Sequence, residues 1–347
     1  MLPYVTINQE QRREKNMVKI KYLVVFLLGF SFIPMLTLAE TMRVTLQLQE
    51  SHPIGKNWLE FIDIVEKESN GSLDVQLFSS AQLFKDKEVP GAVGSGAVEA
   101  GSAYIGRYAG SVPAVDVISI PFVFSNEAHI RASLAPGSDL RKILDDAILK
   151  ETNNRVLWWQ ASGRNIYLNN GSAIVAPSDI QNKKVRVYGK IQGWTIQALG
   201  GAPTLMSGSK QFLAYQQGAV DVGMTGAAAV KSRKMYEVMD HMTLTFDSAI
   251  EFVAVVNNDF FEKLSEEHKS IVMSAAREVE QNLRDQIYTD EAASVDYVSK
   301  KMTVVELTDD QRALWAEATA GVIDRFISET GKSGAAAVKA VKAAANN

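Results

Sequence analysis

The sequence predicts an α/β protein in two lobes, with one long helix lying across both. Three observations carry that prediction. Strand-like and helix-like stretches alternate from Met42 to Ile105. The alternation restarts near Arg164. A helical stretch from Ser265 to about Met302 would be about 57 Å long at 1.5 Å per residue, more than one lobe is wide.

Taken in order, Met42–Leu48 alternates apolar and polar residues and reads as the first strand. Trp58, Phe61, Ile62 and Val65 then fall at helical spacing, and Asn70-Gly71 closes that helix. Leu73–Phe78 alternates again as a second strand. Short helical pieces at 85–94 and 97–99 lead to a strand near Ala103-Tyr104-Ile105. The second lobe holds a strand around Lys184–Val187, a helix from Gln192 to Leu199 and the turn Gly200-Gly201-Ala202-Pro203. A helix at 211–217 and a strand at 220–224 follow, and the apolar strand 251–256 carries the chain back to the first lobe. In the long helix, Ser265 is the cap, Glu266 and Glu267 suit the positive end of the dipole, and Val272, Ala276, Val279, Leu283 and Ile287 share one face. The Ala/Lys-rich tail from Gly334 to Ala345 reads as a short, frayed terminal helix. The expected division is a leader at 1–39, lobe I at 40–163 plus 252–291, and lobe II at 164–251 plus 292–347.

The leader is read as an export signal. A basic Met17–Lys21 precedes an apolar run from Tyr22 to Ile33, and Thr37-Leu38-Ala39 offers small residues for a cut after Ala39. Met17 is an alternative start. Ser31, Pro34 and Thr37 interrupt a run already short for a membrane span, and no cysteine follows it to take a lipid anchor. The expected location is therefore the periplasm. The chain of 347 residues has no cysteine, so the core stabilises the fold without disulfides. Its net charge of −4 becomes about −7 without the leader, which excludes non-specific binding to nucleic acid or anionic membranes. An anionic ligand would have to be attracted by a few local arginines.

Two arginines stand out. Arg186 sits between Val185 and Val187 in a strand, pointing away from both. Arg164 follows Gly163 at the start of the second lobe. A guanidinium at a strand end suits bidentate capture of a carboxylate, the other reading being an exposed surface arginine. Tyr104, at a strand end of lobe I, is either a binding residue or a core tyrosine; Phe122 and His52 are further candidates. Trp158 and Trp159 line a pocket wall or pack in the core.

Enzyme motifs are weak. Ser207-Gly208-Ser209-Lys210 has the Ser-x-x-Lys spacing of serine acyl-enzymes without their companion signatures. No Gly-x-Ser-x-Gly elbow or P-loop occurs, Gly94-Ser95-Gly96 lacks the third glycine of a dinucleotide fingerprint, and the four histidines do not pair at zinc-ligand spacing. No cofactor and no metal site is expected.

An ordered set of short stretches resembles the periplasmic solute-binding proteins of tripartite ATP-independent periplasmic (TRAP) transporters, the DctP type. They include Glu68-Ser69-Asn70-Gly71, Ile120-Pro121-Phe122-Val123-Phe124, Gly163-Arg164-Asn165-Ile166 and Ala176-Pro177-Ser178-Asp179. Lys184-Val185-Arg186-Val187, Gly201-Ala202-Pro203-Thr204, Gln216–Asp221 and Tyr236-Glu237-Val238 continue the series over nearly the whole exported chain. The resemblance implies a two-lobed periplasmic binding protein fold closing on an organic acid, a monomer, and permease membrane subunits as partners. It also implies that Arg186 pairs with the ligand carboxylate and Arg164 assists. The sequence departs from the family pattern where Thr225 replaces an asparagine that often touches ligand, where Thr245-Phe246-Asp247 replaces Thr-Asn-His, and where Lys210 replaces a glutamate. Phe246 could stack on a ligand and Asp247 could accept its hydrogen bonds, or pack in the core and face solvent respectively. Monocarboxylates, sugar acids and C4-dicarboxylates stay open, with Phe246, Tyr104 and Trp194 favouring aromatic or α-keto/hydroxy monocarboxylates. A receptor coupled to a sensor kinase and a secreted hydrolase using Ser207 and Lys210 are the alternatives.

Overall fold

The computed structural model describes residues 39–345; the leader and its cleavage lie outside the described residues. Ten strands form one sheet: β1 (Glu40–Leu46), β2 (Leu73–Phe78), β3 (Ala100–Tyr104), β4 (Asn154–Asn169), β5 (Lys184–Val187), β6 (Ala202–Leu205), β7 (Val222–Gly226), β8 (His241–Leu244), β9 (Ala249–Asn257) and β10 (Thr303–Glu306). Their order is β2-β1-β3-β9-β4-β7-β5-β6, with β8 pairing β4 and β10 pairing β8. At each end the strands are parallel, β1 with β2 and β3, and β5 with β6 and β7. In the middle β9 and β4 run antiparallel to their neighbours and join the two lobes.

Strand β4 makes the crossing. Its residues up to Arg164 pair with β9, and Asn165–Asn169 pair with β7 and β8. The register slips between Ala161 and Arg164. Gly163 supplies a φ of 85° there, and a Cβ on it would lie 2.6 Å from Glu291 Oε1. Sequence periodicity misses β4 because most of its residues are buried on both faces, which removes the alternation. Trp158 and Trp159 belong to this core. Trp158 stacks on Phe61 and donates to Asn57 Oδ1 at 2.8 Å, while Trp159 donates to Asp145 Oδ1 at 2.7 Å.

The long helix runs from Glu266 to Ser299, and Ser265 Oγ caps it by accepting from the His268 N–H at 3.0 Å. It lies against the helix Pro53–Glu68 of the first lobe, against β4, and against the helix Ala227–Ser232 of the second. Three charged residues on its inner face are each ion-paired. Arg141 Nη1 donates to Glu280 at 2.5 Å. Arg284 grips Glu251 of β9 through two bonds of 2.6 and 2.9 Å. Arg164 of β4 grips Glu291 through Nε at 2.8 Å and Nη2 at 2.6 Å. The beam is therefore fastened by charge to both crossing strands.

Two expectations are corrected here. Ala202 and Pro203, read as the end of a turn, begin the edge strand β6, where Pro203 is tolerated because the outer side has no ladder. The tail, assigned to lobe II and read as frayed, is packed on lobe I. The C-terminal helix (Gly321–Ala344) breaks at Gly331, and beyond the break Ala337, Val338 and Val341 are buried. The helix as a whole packs against Pro113–Ser119, Glu127–Leu134 and Asp139–Thr152 of lobe I and touches Lys190–Ala198 of lobe II, and beyond the break His129 Nε2 reaches Val341 O at 2.8 Å. Among the described residues no helix is long and apolar enough to cross a membrane.

Candidate functional site

A narrow cleft, partly open to solvent, lies between the lobes. Its floor is the crossing strands, through Ser162 of β4 and Ile250 and Phe252 of β9. One wall is lobe I, with His52, Asp86, Tyr104 and Arg107. The other is lobe II, with Arg186, Tyr188, Gln211, Thr225 and Arg233. Tyr104 touches the opposite wall: its hydroxyl accepts from Gln192 Nε2 at 3.2 Å, and its ring meets Tyr188 edge-on at 5.0 Å.

Arg186 is 2% exposed. Its strand alternation places Val185 and Val187 on the other face, as the sequence predicts. The guanidinium is held by main-chain oxygens. Nε and Nη2 donate to Met206 O at 3.1 and 2.8 Å, and Nη1 donates to Met224 O. Gln211 is satisfied with its amide oxygen toward Arg186, accepting from Nη1 and Nη2 at 3.2 Å each, and its nitrogen toward Tyr215. Every one of these acceptors is neutral. Burial pulls the Arg186 pKa down, nearby tyrosines oppose this, and Arg107 adds to it.

Around Arg186 the charges are unequal. Asp86 is 0% exposed, accepts from Arg107 Nε and from the Tyr104 N–H at 3.1 Å, and so neutralises Arg107. Arg233 has no such partner among the described residues, and its buried Nη2 has no hydrogen bond. Burial, then repulsion from Arg186, lowers its pKa to about 10, so it stays charged at neutral pH. His52 caps the helix Pro53–Glu68, its Nδ1 accepting from the Ile54 N–H at 3.2 Å. Burial and then Arg233 hold its pKa at about 3. The neutral ring thus carries its proton on Nε2. The cleft holds three guanidiniums against one carboxylate, a composition that attracts anions.

Of the residues expected to bind ligand, Arg186, Thr225, Tyr104 and His52 border this cleft. Arg164, Phe122, Phe246 and Asp247 do not; they form a knot where β4 changes lobes. Arg164 is committed to Glu291, and its guanidinium lies 3.7 Å over the Phe246 ring. The Phe246 N–H donates to Asn165 O at 2.9 Å, and the Phe122 N–H to Asp247 O at 2.6 Å, both phenylalanines having positive φ. Asp247 is buried and accepts from Asn165 Nδ2 at 2.8 Å, so it faces neither the cleft nor solvent. Trp194 likewise stands outside the cleft, which leaves Tyr104 alone of the three aromatics that favoured an aromatic acid. Asp86 and Arg233 escape a sequence reading because they sit in charge runs such as Lys85-Asp86-Lys87-Glu88 that look solvated, and Arg107 because it stands alone between Gly106 and Tyr108 with no pattern around it. The one available signal is helical phase, since Asp86 falls three residues before buried Val89.

Asp247 gives a pH signature. Burial raises its carboxyl from 3.8 to about 6 against the pull of Asn165, its own backbone, Arg312 and Ser248. A raised carboxyl pKa means that its stabilising contribution is complete below about pH 4 and is lost as pH rises through about 6. Asp247→Asn keeps an acceptor for Asn165 and is expected to gain about 1–3 kcal/mol at pH 7.5 relative to pH 4. Urea titrations at the two pH values check this, and an unchanged pH dependence would contradict it.

The Ser-x-x-Lys stretch makes no dyad: Ser207 is buried, Lys210 is exposed, and their side chains share no hydrogen bond. A two-lobed fold with a cation-lined cleft between its lobes suits the capture of a small anionic solute. Residues 45–330 match the DctP family model, bacterial extracellular solute-binding protein, family 7. A solute-binding protein of Verminephrobacter eiseniae is 29% identical over 297 residues, which cover 84% of this chain and 87% of that one. The C4-dicarboxylate-binding periplasmic protein DctP of Rhodobacter capsulatus is 26% identical over 295 residues, with the same coverage of 84% and 87%. A TRAP periplasmic solute-binding protein of Sulfurospirillum deleyianum, crystallised with succinate, shares the fold with a TM-score of 0.82 at 24% identity, covering 88% of this chain and 99% of that one. The chain belongs to family 7 of the bacterial extracellular solute-binding proteins, the DctP-type receptors of TRAP transporters.

Proposed function

We propose that the protein is a periplasmic receptor that takes one small organic acid by its carboxylate on Arg186 and delivers it, as a monomer, to TRAP permease membrane subunits. The observation that carries this reading is Arg186 itself, a buried cation at a cleft wall whose acceptors are all neutral. Gln211 occupies the two donors that a carboxylate would take, through bonds of 3.2 Å. A carboxylate makes charge-assisted bonds about twice as strong as these, and would displace it. Thr225 offers a hydroxyl beside the arginine, while Tyr104 and His52 would cover the ligand from lobe I by closure. Arg164, tied to Glu291, would act on binding indirectly by holding β4 at the crossing. The carboxylates named for the Rhodobacter and Sulfurospirillum proteins support an organic acid as the ligand class.

A thermal-shift screen of organic acids tests the reading. An acid present at 100 times its Kd adds about 2.7 kcal/mol of stability. At least one acid is expected to raise the Tm by several degrees while its uncharged amide does not. A panel of carboxylates that leaves the Tm unmoved sinks the reading, and uptake into vesicles containing the permease then tests delivery.

A further inference from the structure

We propose that Gln192 is the lobe II half of a latch that keeps the cleft shut on a bound acid without touching that acid. This rests on the receptor reading above and adds a positioning residue to it. Gln192 lies in the helix Lys190–Ala198 of lobe II and is 1% exposed. It does not border the cleft, and neither does Ser119 of lobe I. Between them stands Tyr104 of lobe I, which does. Gln192 Nε2 donates to the Tyr104 hydroxyl at 3.2 Å, and the same hydroxyl bonds Ser119 Oγ. Burial, then Asp116, pushes the pKa of that hydroxyl up, so it keeps its proton and donates to Ser119 while accepting from Gln192. The three buried side chains form a relay from one lobe into the other, in which each hydrogen bond strengthens the next.

The chain leaves room for this contact at two glycines, one in each lobe. A Cβ on Gly106 would fall 2.4 Å from Tyr104 Cε1 and 3.2 Å from Asp116 Oδ1. A Cβ on Gly189 would fall 3.3 Å from the same Cε1 and 2.3 Å from Gln192 Oε1. Gly189 stands at the cap of the Gln192 helix with φ −150° and ψ 173°, extended backbone that any residue adopts. The missing side chain there is therefore explained by what packs against it, not by its conformation. Around the relay, the helix Lys190–Ala198 also packs on the segment Pro113–Ser119 of lobe I. Parting the lobes separates the Gln192 amide from the Tyr104 hydroxyl and hands both to water. A neutral bond of this kind holds modestly, by a factor of about ten in the rate of parting. A bound acid leaves only after the lobes part, and a free one enters while they are apart, so the latch governs release and not capture.

Stopped-flow tryptophan fluorescence on the exported chain tests this. The probe is the tightest binder among succinate, D-glucuronate, galactonate, pyroglutamate and the other acids of the thermal-shift panel. Gln192→Ala is expected to speed dissociation about 10-fold while association changes less than about 3-fold. Gly189→Ala should do the same, because its methyl group displaces the Gln192 amide and meets the Tyr104 ring only when the lobes are together. It serves as the second variant should Gln192→Ala fold poorly. A double-mutant cycle with Tyr104→Phe separates a latch from two unrelated packing losses. Linked partners leave the double variant within about 3-fold of the faster single one, whereas independent effects multiply to about 100-fold. Dissociation unchanged in both Gln192→Ala and Gly189→Ala, a loss carried by association, or multiplying effects in the cycle would each overturn the latch and leave the receptor reading standing. If no acid binds at all, the receptor reading fails and the latch fails with it.

Discussion

Arg186→Ala is expected to cost about 3–5 kcal/mol of ligand affinity, or roughly 200- to 5,000-fold. Receptors of this kind need only micromolar to nanomolar affinity, about −8 to −12 kcal/mol, so such a loss amounts to no useful binding. The magnitude follows from the burial of the guanidinium. A carboxylate drawn into the cleft gives up water, and only a charged, forked donor of fixed geometry compensates it. Truncation also leaves the Met206 and Met224 carbonyls without their donors, so the variant should melt earlier. Binding is therefore measured well below its Tm. Arg186→Lys separates the two effects, because it keeps the charge but loses the fork, and should retain part of the affinity. If calorimetry finds the same acid bound within threefold by Arg186→Ala, the carboxylate clamp is wrong.

The second large effect concerns stability. Glu251 sits in β9 and accepts two hydrogen bonds from Arg284 of the long helix, with both side chains nearly sealed from solvent. Glu251→Ala leaves that arginine buried and unpaired, which costs about 3–5 kcal/mol. Against a total stability of about 5–15 kcal/mol this is a large fraction, and the Tm should fall by roughly 10 °C. Replacing both partners, Glu251→Leu with Arg284→Met, should recover most of the loss, since an apolar pair of similar volume removes the stranded charge. Thermal and urea unfolding of the parent and the two variants decides it. A single mutant as stable as the parent would mean that water reaches Arg284 and the pair is not sealed.

The parts of this molecule legible in the sequence are those where one face is wet. Helix 53–68 and the parallel strands β1, β2 and β5 announce themselves by period, and the long helix by its length and its serine cap. Strand β4 does not, because burial on both sides erases the pattern. Arg186 was legible because two valines fix its direction. Arg164 looked equivalent, yet its partner Glu291 lies 127 residues away, and no local pattern reports a contact at that separation. Phe246 and Asp247 drew attention as departures from a familiar motif, but a departure at the crossing of two lobes changes the hinge before it changes the cleft. Arg233 was hidden by the lysines beside it, since composition says nothing about which member of a charge run turns inward.

The oxygens that aim Arg186 belong to Met206 and Met224, but only as peptide carbonyls. Every amino acid brings the same carbonyl to those positions. Mutational drift at 206 and 224 can alter packing while the aim of the guanidinium is inherited from the course of the backbone. Lineages descended from such a receptor can therefore exchange the residues around the arginine, and retune what it selects, without having to reinvent how it points.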